Sequence, residues 1–380
     1  MEFKLTKENE QVRDLARNFA QAEMKPVVMK YDESQEFPMD LMHRLGDLGF
    51  MGVTIPEKYG GAGLSYVDYC AIIEEISRVD PSIGLSVAAH NGLCTGHIFN
   101  FAGEELKAEY LPDLASGKKI GAWGLTEPAS GSDSGSMRTV AVRNGKSFVI
   151  NGSKQFITHG SVGETIVVMA STDQSKGKKG ISAFVFRRDT PGFSVGRKEN
   201  KLGMRASDTS TMIFEGMKIP AENLIGTEGD GFKQALQILD AGRIGIAALA
   251  VGLAQGALDA SVKYSKERVQ FGKPLCEFQA IQWKISEMAT KIEAARLLTY
   301  KAAFLKDRGR DIKLAAATAK YFASEIAVRC TEEAIQIHGG YGFIKDFPVE
   351  KLYRDVKLLT IGEGTSEIQK MVISRKILDI

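Results

Sequence analysis

The chain has 380 residues, more than one hydrophobic core usually serves, so two or three domains are expected. It is 44% hydrophobic and 25% charged, and its 49 basic against 47 acidic residues leave a net charge of +2, which gives no case for nucleic acid or a membrane surface as a partner. The four cysteines, Cys70, Cys94, Cys276 and Cys330, form no C-x-x-C pair; reduced, buried thiols fit better than structural zinc or a disulfide framework.

The start, MEFKLTKENEQVRDLARNF, is charged and has no apolar h-region, so no secretory signal is expected. No stretch approaches about 18 uninterrupted apolar residues, so no transmembrane helix is expected either. The cytoplasm is the expected compartment, or the mitochondrial matrix for a mature eukaryotic chain. The first 120 residues read as helical. Residues 8–30 are amphipathic, with Val12, Leu15, Ala16 and Phe19 at helical spacing. Segments 39–50, 65–78 and 103–116 follow, with a Gly-rich break at 59–63 and a turn at Asp80-Pro81.

From Gly121 to about residue 228 the character changes. TVAVRNGKSFVIN reads as a hairpin with Asn144-Gly145 in a type I′ turn. ETIVVMAST, ISAFVFRRD and STMIFEGMKIP are further strands. From 229 to 380 the chain is helical again, over 232–266 and 312–338. Between them Ile281, Ile285, Met288, Ile292, Ala295 and Leu298 make a bundle-type stripe. The expected architecture is α+β and multidomain: an N-terminal helical domain, an antiparallel β-barrel or sandwich over 121–228, and a C-terminal four-helix bundle.

Several site types have no support. There is no G-x-G-x-x-G after a strand and no phosphate-binding P-loop. None of the five histidines follows a Glu by three residues, so a di-iron bundle is not expected, and no metal site is assigned. Four segments stand out. WGLTEPASGSD (123–133) is a small-residue, hydroxyl-rich loop that lets backbone amides approach a ligand, or simply a connection. ERVQFGKPLCEFQ (267–279) offers Arg268 to a phosphate, or is a helix connection with a solvated Arg. QIHGGYGF (336–343) carries a Gly C-cap. TIGEGTSEIQ (360–369) presents Glu363 between two glycines before a helix that Thr365 or Ser366 can cap; that carboxylate is a base or a solvated side chain.

These segments, with KQFITHG, resemble the motifs of the acyl-CoA dehydrogenase family, and the likeness runs over essentially the whole chain. The resemblance implies FAD as cofactor, an acyl-CoA substrate, an electron-transfer flavoprotein as acceptor and a homotetramer. It implies that the loop holding Trp123, Leu125, Thr126 and Ser132 embraces the flavin ring, with Ser132 also touching the acyl-CoA. Phe156, Ile157 and Thr158 match the second flavin segment; the family usually has Trp where Phe156 stands. Arg268, Phe271, Gln279, Gln336, Gly339 and Gly340 match residues that meet the FAD of a neighbouring subunit. Thr365 and Glu367 match the diphosphate region, and Asp240, Arg243 and Gly364 the substrate side.

Glu363 matches the family's catalytic base. The thioester carbonyl is then expected to receive hydrogen bonds from the Glu363 amide and a flavin hydroxyl. The alternative base position, just before Arg243, is Gly242, which cannot serve. Gly362 stands where many straight-chain members carry Tyr, which leaves room for a branched or cyclic chain, whereas LDAGRIG resembles short straight-chain members. The expected reaction is α,β-dehydrogenation of a short acyl-CoA to the trans-2-enoyl-CoA. The alternatives are a glutaryl-type dehydrogenase, an acyl-CoA oxidase, or a silent flavin-binding assembly protein.

Overall fold

The computed structural model describes residues 4–380; Met1–Phe3, part of the charged start, lie outside the described residues. The N-terminal helices are α1 (Lys7–Phe19), α2 (Val28–Ser34), α3 (Met39–Asp47), α4 (Tyr66–Val79), α5 (Pro81–Ala89), α6 (Gly96–Phe101) and α7 (Glu104–Ala115). Caps set their starts. Thr6 and Asn9 form a reciprocal capping box on α1, as Ser65 and Asp68 do on α4. The expected single helix over 8–30 is broken: a π-turn at Ala20–Met24 follows α1, and Pro26 supplies no N–H to continue it. Asp80-Pro81 does more than turn the chain. Asp80 ends α4, and its Oδ1 accepts from Ile83 N at 2.9 Å to start α5, a helix the sequence reading did not include.

The β segment comprises β1 (Gly121–Gly124), β2 (Val140–Asn144), β3 (Ser147–Thr158), β4 (Thr165–Ser171), β5 (Ile181–Arg187), β6 (Phe193–Lys198), β7 (Thr209–Pro220) and β8 (Leu224–Ile225). They form one sheet ordered β6-β7-β3-β2-β4-β5-β8, with β1 added to β4. Most pairs are antiparallel, as expected, but β1 and β2 both lie parallel to β4, so the sheet is mixed. The hairpin register is one residue beyond the expected one. Asn144 pairs with Ser147, so Gly145-Lys146 forms the loop, and of these two only Gly145 has positive φ. That is the pattern of a type II′ turn rather than I′.

Beyond the sheet run α8 (Gly231–Glu267), a short hairpin of β9 (Val269–Gln270) and β10 (Lys273–Pro274), α9 (Gln279–Asp307), α10 (Lys313–His338), α11 (Val349–Val356) and α12 (Ser366–Leu378). The α9 stripe faces inward as expected, with Met288, Ile292 and Ala295 buried. By length and composition α8 could cross a bilayer, but most of its apolar window is buried inside the fold. Helices from both ends of the chain share one core: Ile72, Ile73 and Ile76 of α4 pack with Ile244, Leu249 and Leu253 of α8 and with Ala316, Ala323 and Ala327 of α10. The close approach of α4 and α8 depends on Gly252 and Gly256, where a β-carbon would strike the backbone of Glu74 and Arg78. Cys70, Cys94 and Cys330 are buried free thiols, while Cys276 is half-buried.

Candidate active site

Glu363 lies on the turn between α11 and α12, in left-handed backbone (φ 52°), and Gly364 follows at φ 93°. Glycine takes such a φ freely, but Glu363 does not, and its turn needs an external hold. Gln369 and Lys320 supply it, donating to the Gly364 carbonyl at 2.9 and 2.8 Å. Thr365 then caps α12, its hydroxyl accepting from Ile368 N. The result aims the Glu363 side chain at α8, where a β-carbon on Gly242 would collide with its Oε2. Glu363 is half-buried as a residue, but its Oε2 is shielded from water and has no hydrogen-bond partner. Burial pushes its pKa up to about 7, against the opposing pull of Lys320 and Arg243.

Arg243 of α8 is buried and paired with Asp240 at 2.5 Å. Its Nε finds no partner. Gly242 and Arg243 of α8 thus meet Glu363 and Gly364 from a distant stretch of chain, and Asp240 joins them only through Arg243.

The loop 123–133 packs along β3. Gln155 N donates to Thr126 O at 2.8 Å. Beneath them Lys154, fully buried, donates to Leu125 O at 3.1 Å and to Glu127 Oε1 at 2.7 Å. Glu127 also accepts from Arg138 N at 2.6 Å and Thr139 N at 3.0 Å, so one carboxylate ties the loop to the chain entering β2. Leu125 is buried and Ser132 is exposed. Trp123 is committed to the interior: its indole donates to His97 Nδ1 at 2.9 Å, and His97 Nε2 meets Gln234 at 3.0 Å. Farther along β3 a bulge between Lys154 and Ile157 breaks the pairing with β7. There Phe156 takes φ 58° and turns its ring outward, 63% exposed, while Ile157 is buried and Thr158 half-buried.

A third cluster is separate. A cavity of about 510 Å³ is lined by Tyr264, Arg268, His338, Gly339, Gly340 and Tyr341, among others. Neither Glu363 nor any residue of the 123–133 loop lines it. Arg268 stands over the Tyr341 ring at 5.5 Å. Nothing lies within 4 Å of a β-carbon built on Gly339 or Gly340, so their backbone is open to a visitor. Phe271, at the tip of the β9–β10 hairpin, is 94% exposed, and Gln279 and Gln336 are also exposed.

The chain matches three family models end to end: the acyl-CoA dehydrogenase N-terminal domain over 6–118, the middle domain over 122–217 and the C-terminal domain over 229–378. The chain belongs to the acyl-CoA dehydrogenase family. It is 49% identical to the short-chain-specific acyl-CoA dehydrogenase of Clostridium acetobutylicum, over 99% of this chain and 100% of that one. It matches a solved chain from work on the electron transferring flavoprotein of Acidaminococcus fermentans, with TM-score 0.99, 46% identity and full coverage of both. The butyryl-CoA dehydrogenase of Megasphaera elsdenii superposes with TM-score 0.98 at 43% identity, again over both whole chains. The enzyme is therefore an FAD-dependent oxidoreductase that dehydrogenates an acyl-CoA.

Sequence reading did not single out Lys154, Glu127, Lys320, Gln369 or His97. Two of them left a signal. Lys154 falls on the inward side of the strand alternation, and Lys320 is a lone cation in the apolar run LAAATAKYFA. Four histidines, His90, His97, His159 and His338, are buried and bonded to backbone or amide groups, with pKa values lowered by burial, and His159 Nε2 has no partner.

Proposed function

We propose that the enzyme oxidises a short acyl-CoA, with room for a branched or cyclic chain, and that Glu363 is the base removing the α-proton. The observation that carries this reading is the Glu363 carboxylate itself: shielded, unpartnered at Oε2, and aimed across a turn that only neighbouring donors hold. The α-hydrogen of a thioester is weakly acidic and needs a positioned base whose pKa lies near the working pH. At about 7, Glu363 meets that need. Its backbone N–H would donate to the thioester carbonyl, where negative charge gathers as the proton leaves. Arg243, paired with Asp240, keeps positive charge beside the site and favours the carboxylate form of the base. Bound FAD supplies the acceptor for the β-hydride.

The residues present fit that cofactor. The outward ring of Phe156, the hydroxyls of Thr126, Thr158 and Ser132, and Leu125 and Ile157 behind them offer a face for a flat ring system. Trp123 would act through its backbone, because its indole N–H is already engaged by His97. Arg268, the open Gly339 and Gly340, Gln336, Gln279 and the Phe271 ring offer a second, cationic and aromatic face from a neighbouring copy. Glu367 would serve through its backbone N–H at the start of α12, since its exposed carboxylate repels phosphate. Such a division of the site between copies calls for an oligomer, of which the homotetramer is one form.

Substrate size follows from what is missing around the base. A β-carbon at Gly362 would make only ordinary contact with Leu358, so the position is open and no ring fills it. The likeness to a chain from electron transferring flavoprotein work supports such a flavoprotein as acceptor. The test is anaerobic mixing of the yellow holoenzyme with short straight, branched, cyclic, glutaryl and long-chain acyl-CoAs. Short thioesters should bleach the flavin fastest. Bleaching by long straight chains alone would refute the substrate reading, and rapid peroxide formation in air would replace the flavoprotein acceptor by oxygen.

A further inference from the structure

Lys320 stands on α10 beneath the Glu363 turn, completely buried, with Ala316, Ala317, Ala319 and Ala323 of the same helix buried around it. Burying an ammonium group is costly unless its charge is used. The hydrogen bond it makes does not need a charge. It donates to Gly364 O at 2.8 Å, and the neutral amide of Gln369 reaches the same oxygen at 2.9 Å. A second neutral donor would hold the turn equally well, so the charge has another use.

The charged and titratable groups around Lys320 show where it acts. Its Nζ is bonded to the carbonyl of Gly364, the residue after Glu363, so Glu363 on the turn and Arg243 of α8 both feel its charge. Glu325, on α10 itself, is bonded to the Ser366 hydroxyl at 2.5 Å, and Glu367 of α12 is exposed. Tyr69 of α4 also feels the Glu363 charge. Arg243 is paired with Asp240, and its charge adds to that of Lys320 in favouring the Glu363 carboxylate. Among the carboxylates near Lys320, Glu363 is the one whose Oε2 is shielded and unpartnered.

We propose, on the reading that Glu363 is the base, that Lys320 is its positioning residue: it pins the Gly364 carbonyl, and its buried positive charge sets the pH at which the carboxylate becomes available. Burial pulls Lys320 down to about 8 and pushes Glu363 up to about 7, and each charge opposes the other's shift. Removing the cation makes the carboxylate form less favourable. The acid limb of activity must then move to higher pH.

The test uses holoenzyme, with butyryl-CoA as substrate and kcat, KM, FAD absorbance and melting temperature followed against pH. Lys320→Met should raise the acid limb of kcat/KM by roughly one pH unit. The loss at pH 7 should fall on kcat rather than KM and should recover as the pH is raised. Lys320→Arg should keep the wild-type limb. Gln369→Leu should lower the melting temperature without moving the limb, because it removes a neutral donor. If Lys320→Met does not fold, Lys320→Gln, which retains a donor without charge, should show the same shift. An unmoved limb in the neutral variants, or an equal shift in Lys320→Arg, overturns the proposal. Glu363→Gln separates the two readings: if it retains near-wild-type turnover, the base assignment itself falls, and if it is inactive while the Lys320 limb stays put, only the role of Lys320 falls.

Discussion

Two regions of the molecule each bury a carboxylate beside a buried lysine, yet they differ in chemistry. At the loop 123–133, Glu127 receives Lys154 and two backbone N–H groups. Burial works against its charge, but Lys154 and those donors outweigh it, and its pKa lies below the ordinary value. At the α12 turn, Glu363 Oε2 receives nothing, the nearby lysine spends its hydrogen bond on a carbonyl, and burial prevails. Burial alone therefore does not decide whether a carboxylate is reactive. The opposite charge and the donors that reach its oxygens decide with it. Glu127 is a structural clamp and Glu363 is left wanting a proton.

The largest test of this contrast is Glu363→Gln. It should retain the flavin spectrum and lose on the order of 10²–10⁴-fold in kcat/KM, the usual worth of a general base; near-wild-type turnover would erase the distinction. Next in size is Lys154→Met, which strands Glu127 as a buried, uncompensated charge. It should cost about 3–5 kcal/mol in urea unfolding, and adding Glu127→Gln should recover part of that. A cost near zero would mean that the clamp holds nothing. The smallest effect is a difference in sign with pH. Glu363 titrates at about 7 when folded against an ordinary 4.5, so its penalty is absent below pH 4.5, grows up to about pH 7 and is full above it. Glu363→Gln should accordingly gain on the order of 1–3 kcal/mol at pH 8 and almost nothing at acid pH. For Glu127, whose folded pKa is lowered, Glu127→Gln should lose stability at pH 8 and lose less as the pH falls. Melting curves at several pH values would read both.

Much of the architecture was legible in the sequence because it rests on local periodicity. The long helices α8, α9 and α10 and the strands β4, β5 and β7 each carry an apolar pattern of their own. What escaped depends on partners far along the chain. The β1 strand is four residues long and exists only because β4 lies beside it. The helix α5 follows directly on a Pro that reads as a turn until Asp80 is seen capping it. At the site, Glu363 was marked by its glycines and by family motif, whereas Lys320 and Lys154 were not. A buried lysine is recognised by what it touches, and both touch backbone carbonyls in distant segments.

The helix α8 is also a ruler. Its near end places Gly242 against the base, and its far end leads directly into Arg268 at the mouth of the glycine-lined cavity. At about 1.5 Å per residue, Gly242 and Glu267 are held about 38 Å apart. No bending of loops can shorten that interval within one copy. If, as proposed, a ligand draws on the base end of one copy and the arginine end of another, it measures the spacing between copies, and whatever loosens their association would loosen the grip on that ligand before it disturbed a single residue around Glu363.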